Sequence, residues 1–178
     1  MNYLITGGAG FIGSNLIKKL LEEKHSVICV DNFSSGYKTN IKKFLTHPKF
    51  SFIDHDITRV FDIETDGIWH LACPASPKYY EKNPIETSKI NFIGTYNVLE
   101  IARKNKCQIL FASTSEIYGN PEIHPQNENY NGSVNTNGIR SCYKEGKRIA
   151  ESLCFDYKRQ HNLDIKVARI FNTYGPRM

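Results

Sequence analysis

Tyr143 and Lys147 lie four residues apart in the run Ser141-Cys142-Tyr143-Lys144-Glu145-Gly146-Lys147-Arg148. On a helix, residues at this spacing share a face, so the Lys147 ammonium can lie beside the Tyr143 phenol. A nearby cation favours the phenolate. A free tyrosine has a pKa of about 10, so a base that works near neutrality needs a shift of roughly 3 units, or about 4 kcal/mol of differential stabilisation. Taken alone, this spacing is common on solvated helix faces and carries little weight. Two other runs change that. The chain opens with a glycine-rich turn, Thr6-Gly7-Gly8-Ala9-Gly10-Phe11-Ile12-Gly13, and the apolar run Gln108–Ala112 breaks into Ser113-Thr114-Ser115-Glu116. In an open parallel sheet, ligands bind beyond the carboxyl ends of the strands, which is where these hydroxyls and this carboxylate would project.

The elements that must position these groups begin at the N-terminus. Tyr3–Thr6 reads as a short buried strand, and Phe11–Glu23 carries Ile12, Leu16, Leu20 and Leu21 at helical spacing. Ser26–Val30 is a second strand, ending at Asp31, 18 residues after Gly13. Glycine triplets are frequent. A triplet between strand and helix, followed at this interval by an acid, is the fingerprint of a dinucleotide site. Gly7, Gly10 and Gly13 allow a tight turn, close approach of backbone to pyrophosphate and close helix packing, and the phosphates meet the free amides of the helix N-terminus. An acid at position 31 can accept from ribose hydroxyls and repels a 2′-phosphate, so NAD is expected rather than NADP.

Further strands are expected at Phe50–Asp54, Gly67–Ala72, Cys107–Ala112 and Asp164–Ile170, with helices from Pro84 to Asn105 and from Tyr143 to Gln160. Asn83 reads as a helix cap, with Pro84 at the first helical position and Glu86 at the positive helix end. Alternation of strand and helix predicts an α/β fold with a doubly wound, Rossmann-like parallel sheet over residues 1–178. His70 falls in a strand and reads as a hydrogen-bonded core residue. The 178 residues suit one domain, and 40% hydrophobic with 23% charged residues is ordinary globular composition. A net charge of +5 without basic runs argues against nucleic acid. No segment approaches a membrane span, the N-terminus is no signal peptide, and five cysteines without metal-ligand spacing fit a reducing compartment, so a cytoplasmic protein without a metal site is expected.

Several strings together resemble the extended short-chain dehydrogenase/reductases and, within them, the UDP-glucuronate decarboxylases, or UDP-xylose synthases. They are the glycine turn, Val30-Asp31-Asn32-Phe33, His70-Leu71-Ala72-Cys73-Pro74-Ala75-Ser76-Pro77, Ala112-Ser113-Thr114-Ser115-Glu116, Arg140-Ser141-Cys142-Tyr143 and Arg169–Met178. The resemblance implies that Thr114, Tyr143 and Lys147 are the catalytic hydroxyl, base and lysine, and that Ser115 and Glu116 serve the glucuronate. It implies Phe11, Ile12, Asn32, Asp56, Ile57 and Leu71 beside the cofactor, with Asp56 and Ile57 flanking the adenine. It also implies contacts to the sugar nucleotide from Pro77, Lys78, Tyr79, Tyr80 and Asn172, and a homodimer formed by the two long helices through Ile90, Ile93, Val98, Ile149 and Leu153. The activity implied is NAD-dependent conversion of UDP-glucuronate to UDP-xylose through a transient 4-keto sugar. A 4,6-dehydratase, a 4-epimerase and an inactive NAD-binding fragment are the alternatives. Family members continue into a substrate domain, whereas this chain ends eight residues after Ile170, so a C-terminally truncated chain is expected.

Overall fold

The computed structural model describes residues 1–178. Its strands are β1 (Asn2–Thr6), β2 (Ser26–Asp31), β3 (Phe50–Asp54), β4 (Gly67–His70), β5 (Gln108–Thr114) and β6 (Ile165–Ile170). They form one parallel sheet in the order β3-β2-β1-β4-β5-β6. The winding direction reverses between β1 and β4, the position at which such sheets bind ligands. Around it lie α1 (Phe11–Glu22), α2 (Lys38–Ile41), α3 (Pro77–Tyr80), α4 (Pro84–Lys89), α5 (Thr95–Asn105) and α6 (Ser141–His161).

Side chains alternate across a strand, so β1 feeds both faces of the sheet. Leu4 joins a core cluster with Ile68, Val98, Leu99 and Phe111, whereas Ile5 joins a second one with Ile17, Val27, Ile41 and Phe44. This is the doubly wound arrangement that the sequence predicts. No helix is long and apolar enough to cross a membrane.

The differences are local. Leu71 and Ala72 leave the strand early, while β5 continues to Thr114. The helix expected from Pro84 is interrupted by a wide π turn, Ile90–Gly94. Asn83 does not cap α4 with its side chain; its carbonyl instead accepts the Thr87 amide at 3.0 Å and the Thr87 hydroxyl at 2.9 Å. Among the apolar helix positions, Val98 is fully buried, and Ile90 and Leu153 pack against the core. Ile93 and Ile149 remain exposed, joined by Phe92, Tyr96 and Phe155.

His70 closes β4 beneath the switch point. Its Nδ1 is 2.7 Å from the Thr6 hydroxyl and its Nε2 3.1 Å from that of Thr95. Burial, and then the charge of Lys147, depress its pKa to about 3. Because the folded-state value lies below the unfolded one, the unfolded chain takes up the proton first as pH falls. Stability is therefore lost from about pH 6.5 down to about 3, at up to about 1.4 kcal/mol per pH unit from this group. Urea titrations at pH 7.5, 6.0 and 5.0 should show His70→Gln with a shallower acid slope than the unaltered chain. Equal slopes would mean that His70 is charged in the fold.

Candidate active site

A cleft of about 740 Å³ opens over the carboxyl ends of the strands. One wall is the glycine turn. Gly7 has φ +74, and a Cβ there would stand 2.7 Å from the Ala72 amide nitrogen, so only glycine lets the backbone of β1 pass this close to the chain leaving β4. No side chain caps α1, which leaves the amides of its first turn for an anionic ligand. Asp31 ties this wall together: its carboxylate accepts from the Ala9 amide at 2.9 Å and the Phe33 amide at 2.8 Å. Burial raises its pKa above the ordinary carboxylate value, and these two amide bonds act in the opposite direction. Each oxygen accepts one backbone bond and keeps a second acceptor direction for another donor.

The opposite wall comes from β5 and α6. Thr114 ends β5, and its hydroxyl accepts the Glu116 amide at 3.2 Å, starting the short 3-10 turn Ser115–Tyr118. Ser113, one residue earlier, points away and bonds to Glu151, whose carboxylate also binds Arg169 at 2.9 Å. That buried cluster fixes the end of β5 against α6. Gly146 lets α6 come in close: a Cβ there would lie 2.8 Å from the Asn91 amide nitrogen in the π turn. Asn91 Oδ1 is itself buried without a partner.

Tyr143 and Lys147 are both buried and both face the cleft. The Lys147 ammonium donates to the Ala112 carbonyl at 2.8 Å and lies 4.7 Å above the Phe111 ring. Burial first, then the Cys73 thiol, push the Tyr143 phenol above its ordinary value, and a hydrogen bond with Thr114 works the other way. The phenol ring stacks flat on Tyr80, with centroids 4.8 Å apart and planes 5° apart.

The cleft gathers nearly all residues singled out in the sequence. Gly7, Gly10, Phe11, Ile12, Gly13, Asp31 and Asn32 lie on the first wall, with Asp56, Ile57 and Leu71 beside them. Thr114, Ser115, Glu116, Tyr143 and Lys147 lie on the second, and Pro77, Tyr79 and Asn172 along the rim. Two are elsewhere. Lys78 is exposed on α3 and outside the cleft wall, and Tyr80 is fully buried behind Tyr143, where its hydroxyl accepts from Arg140 Nε at 2.7 Å. A four-residue helix can turn only part of its surface to the cleft, so adjacent residues of α3 separate.

Sequence reasoning missed Arg140, which meets Glu116 at 2.8 Å, and Tyr37, whose hydroxyl is 2.8 Å from that of Tyr79 across the cleft. It also missed Arg177, which donates to Ser14 at 3.1 Å and to Asn15 on α1. None of these sits in a spacing that signals chemistry; the strings Arg140-Ser141-Cys142-Tyr143 and Arg169–Met178 include Arg140 and Arg177 without giving either a role.

The sequence profile of the NAD dependent epimerase/dehydratase family matches residues 3–178. The chain belongs to this family. It is 57% identical over its whole length to UDP-glucuronic acid decarboxylase 6 of Arabidopsis thaliana, covering 52% of that protein. It is 53% identical over 98% of its length to UDP-glucuronic acid decarboxylase 1 of Xenopus tropicalis, covering 42% of it. The chain thus spans about half the length of these curated relatives. Among solved structures, a UDP-glucose 4-epimerase of Thermotoga maritima with UDP-glucose superimposes with a TM-score of 0.84 at 32% identity, covering 99% of this chain and 57% of that one. A dTDP-glucose 4,6-dehydratase of Streptomyces venezuelae with NAD bound gives 0.87 at 26% identity, with 99% and 57% covered.

The glycine cradle, the uncapped first turn of α1 and the Asp31 carboxylate fit the pyrophosphate and ribose of the family's cofactor, and NAD is the cofactor of this site. Calorimetric titration should find NAD(H) bound more tightly than NADP(H) by about tenfold or more, since like-charge juxtaposition costs several kcal/mol. Equal affinities would remove Asp31 from the ribose.

Proposed function

We propose that the chain carries the cofactor half and the reacting groups of a UDP-glucuronate decarboxylase, which forms UDP-xylose and CO2 through a transient 4-keto sugar. The observation that carries this reading is Thr114-Ser115-Glu116 at the end of β5, in one cleft with Tyr143 and Lys147 and in a chain 57% identical to a protein of that name. Bound NAD would supply a hydride acceptor at the sugar C4 and return the hydride at the end, so net redox is zero.

The residues have separable tasks. Tyr143 takes the proton from the O4 hydroxyl, and Thr114 holds that oxygen in place. With a ketone at C4 the substrate carboxylate becomes that of a β-keto acid: CO2 leaves, the electron pair of the broken C5–C6 bond passes onto the ketone oxygen, the resulting enolate takes a proton at C5, and on return of the hydride Tyr143 gives its proton back to O4. Lys147, buried beside Tyr143, supplies the positive charge near the phenol once it turns from the Ala112 carbonyl. Ser115 is the discriminating residue. A dehydratase needs an acid there to protonate a departing 6-hydroxyl, whereas loss of CO2 needs none. A serine can hydrogen-bond the substrate carboxylate without adding negative charge. Pro77, Tyr79 and Asn172 on the rim are proposed contacts to the sugar nucleotide.

We place the protein in the cytoplasm, a reading supported by five free cysteines, and assign it a homodimer through the face that exposes Phe92, Ile93, Tyr96, Ile149 and Phe155. Light scattering of Phe92→Asp at high concentration should give a smaller species than the unaltered chain. A monomer in both cases would refute the dimer.

A chimaera that continues this chain with the C-terminal half of a curated relative should convert UDP-glucuronate to UDP-xylose and CO2 without added reductant. The 178-residue chain alone should bind NAD with little turnover. In the chimaera, Tyr143→Phe should slow turnover by roughly 10²–10⁴-fold, the usual contribution of a general acid–base group. Ser115→Asp should impair decarboxylation by repelling the substrate carboxylate. Dehydration of a nucleotide hexose, with UDP-glucuronate untouched, would refute the decarboxylase reading.

A further inference from the structure

Arg140 sits at the point where three functional side chains meet. It precedes α6, and its Nε donates to the Tyr80 hydroxyl at 2.7 Å while its Nη2 donates to Glu116 at 2.8 Å. The guanidinium carbon lies 5.7 Å from the Tyr80 ring centroid, and that ring is stacked on Tyr143. One cation therefore touches both the carboxylate beside the reacting centre and the aromatic plate against which the candidate base rests.

We infer that Arg140 is a positioning residue for Tyr143, holding the Tyr80 ring in its stack and neutralising Glu116 so that the phenolate can form next to a carboxylate. Two rigid links carry the effect. Tyr80 is fully buried and its hydroxyl has Arg140 as donor, so the plane of its ring is fixed by the same guanidinium that fixes Glu116. A guanidinium suits this task because its planar fork can serve two acceptors at once while staying charged at every working pH. An uncompensated Glu116 would oppose ionisation of the phenol by like-charge repulsion.

The groups that bear on Tyr143 come from each element around it. They are Cys73 after β4, Tyr80 on α3, Thr114 and Glu116 at the end of β5, and Lys144 and Lys147 on its own helix. Lys144 reaches Glu116 only at 3.8 Å, so it compensates the carboxylate less closely than Arg140 does. Lys147 is committed to the Ala112 carbonyl, which leaves the Glu116–Arg140 pair as the nearest charge balance that a single substitution can upset.

This inference rests on Tyr143 as the base of the proposed reaction, and the test separates the two. The chain is labelled with [13C]tyrosine at Cζ and saturated with NAD+, and the Tyr143 signal, identified by its loss in Tyr143→Phe, is followed from pH 6 to 10.5, a range set by the ordinary phenol value of about 10. Arg140→Met should raise the midpoint by about one pH unit or more, a tenfold fall in phenolate at a given pH, and adding Glu116→Gln should reverse most of that rise. Arg140→Lys, which keeps a charge and guards against a folding defect in Arg140→Met, should stay close to the unaltered chain. Tyr80→Phe, which cuts the hydroxyl link to the ring and leaves the Arg140–Glu116 pair, should raise the midpoint only part of the way to Arg140→Met. A midpoint unmoved by Arg140→Met, or raised equally with and without Glu116→Gln, would overturn the role of Arg140. A phenol that stays protonated throughout in the unaltered chain would overturn the base assignment and this inference with it.

Discussion

Lys147 carries its charge into the protein with a backbone carbonyl and the face of an aromatic ring as its company. An ion that is 4% exposed with no carboxylate partner is expensive to hold, by several kcal/mol before compensation. Much of the surrounding structure follows from keeping it there. Gly146 lets α6 pack against Asn91 of the π turn, and the Ser113–Glu151–Arg169 cluster pins the end of β5 so that the Ala112 carbonyl is in place. His70 must remain neutral beside such a charge, and the hydroxyls of Thr6 and Thr95 satisfy it without the carboxylate that would favour its protonated form. The lysine is thus a local defect in stability that the sheet, α5 and α6 share.

The two walls of the cleft are built by different physics. The first is made of backbone: a turn that only glycine can follow, free amides at α1 and one carboxylate that serves both the turn and the end of β2. The second is made of side chains whose charges and rings restrain one another. Rigidity in the first wall comes from covalent geometry, and in the second from a network that a single substitution can loosen. A bound dinucleotide would bridge them, which makes the alignment of the reacting groups dependent on both.

What was legible in the sequence follows the same division. The βαβ unit, the sheet and the positions of Gly7, Asp31, Thr114, Tyr143 and Lys147 were readable because backbone requirements and hydrophobic period leave local marks. Arg140 was not, because its partners Tyr80 and Glu116 are 60 and 24 residues away and only the folded chain brings them together. Spacing marks the face of a side chain and not its partner. Helical spacing puts Lys147 and Tyr143 on one face, and only the fold adds the Ala112 carbonyl as the acceptor of the ammonium. Tyr80 was read as facing the sugar for the same reason: a string of residues says which loop is near the site, not which side chain turns inward.

The wide turn at Ile90–Gly94 has a consequence for how this chain can change over time. Such a turn holds one residue more than a regular helix would, and each residue advances a helix by about 100°. Deleting one residue there would tidy the backbone ladder and at the same time rotate α4 relative to α5, so that Asn91 would no longer meet Gly146 and Thr87 would leave its buried place. The length of the segment is therefore fixed by its inner face, where Gly94 meets Ile57 and Asn91 meets Gly146. In this stretch a change of length would disturb the packing on both sides of the turn at once, whereas a substitution disturbs only its own contacts.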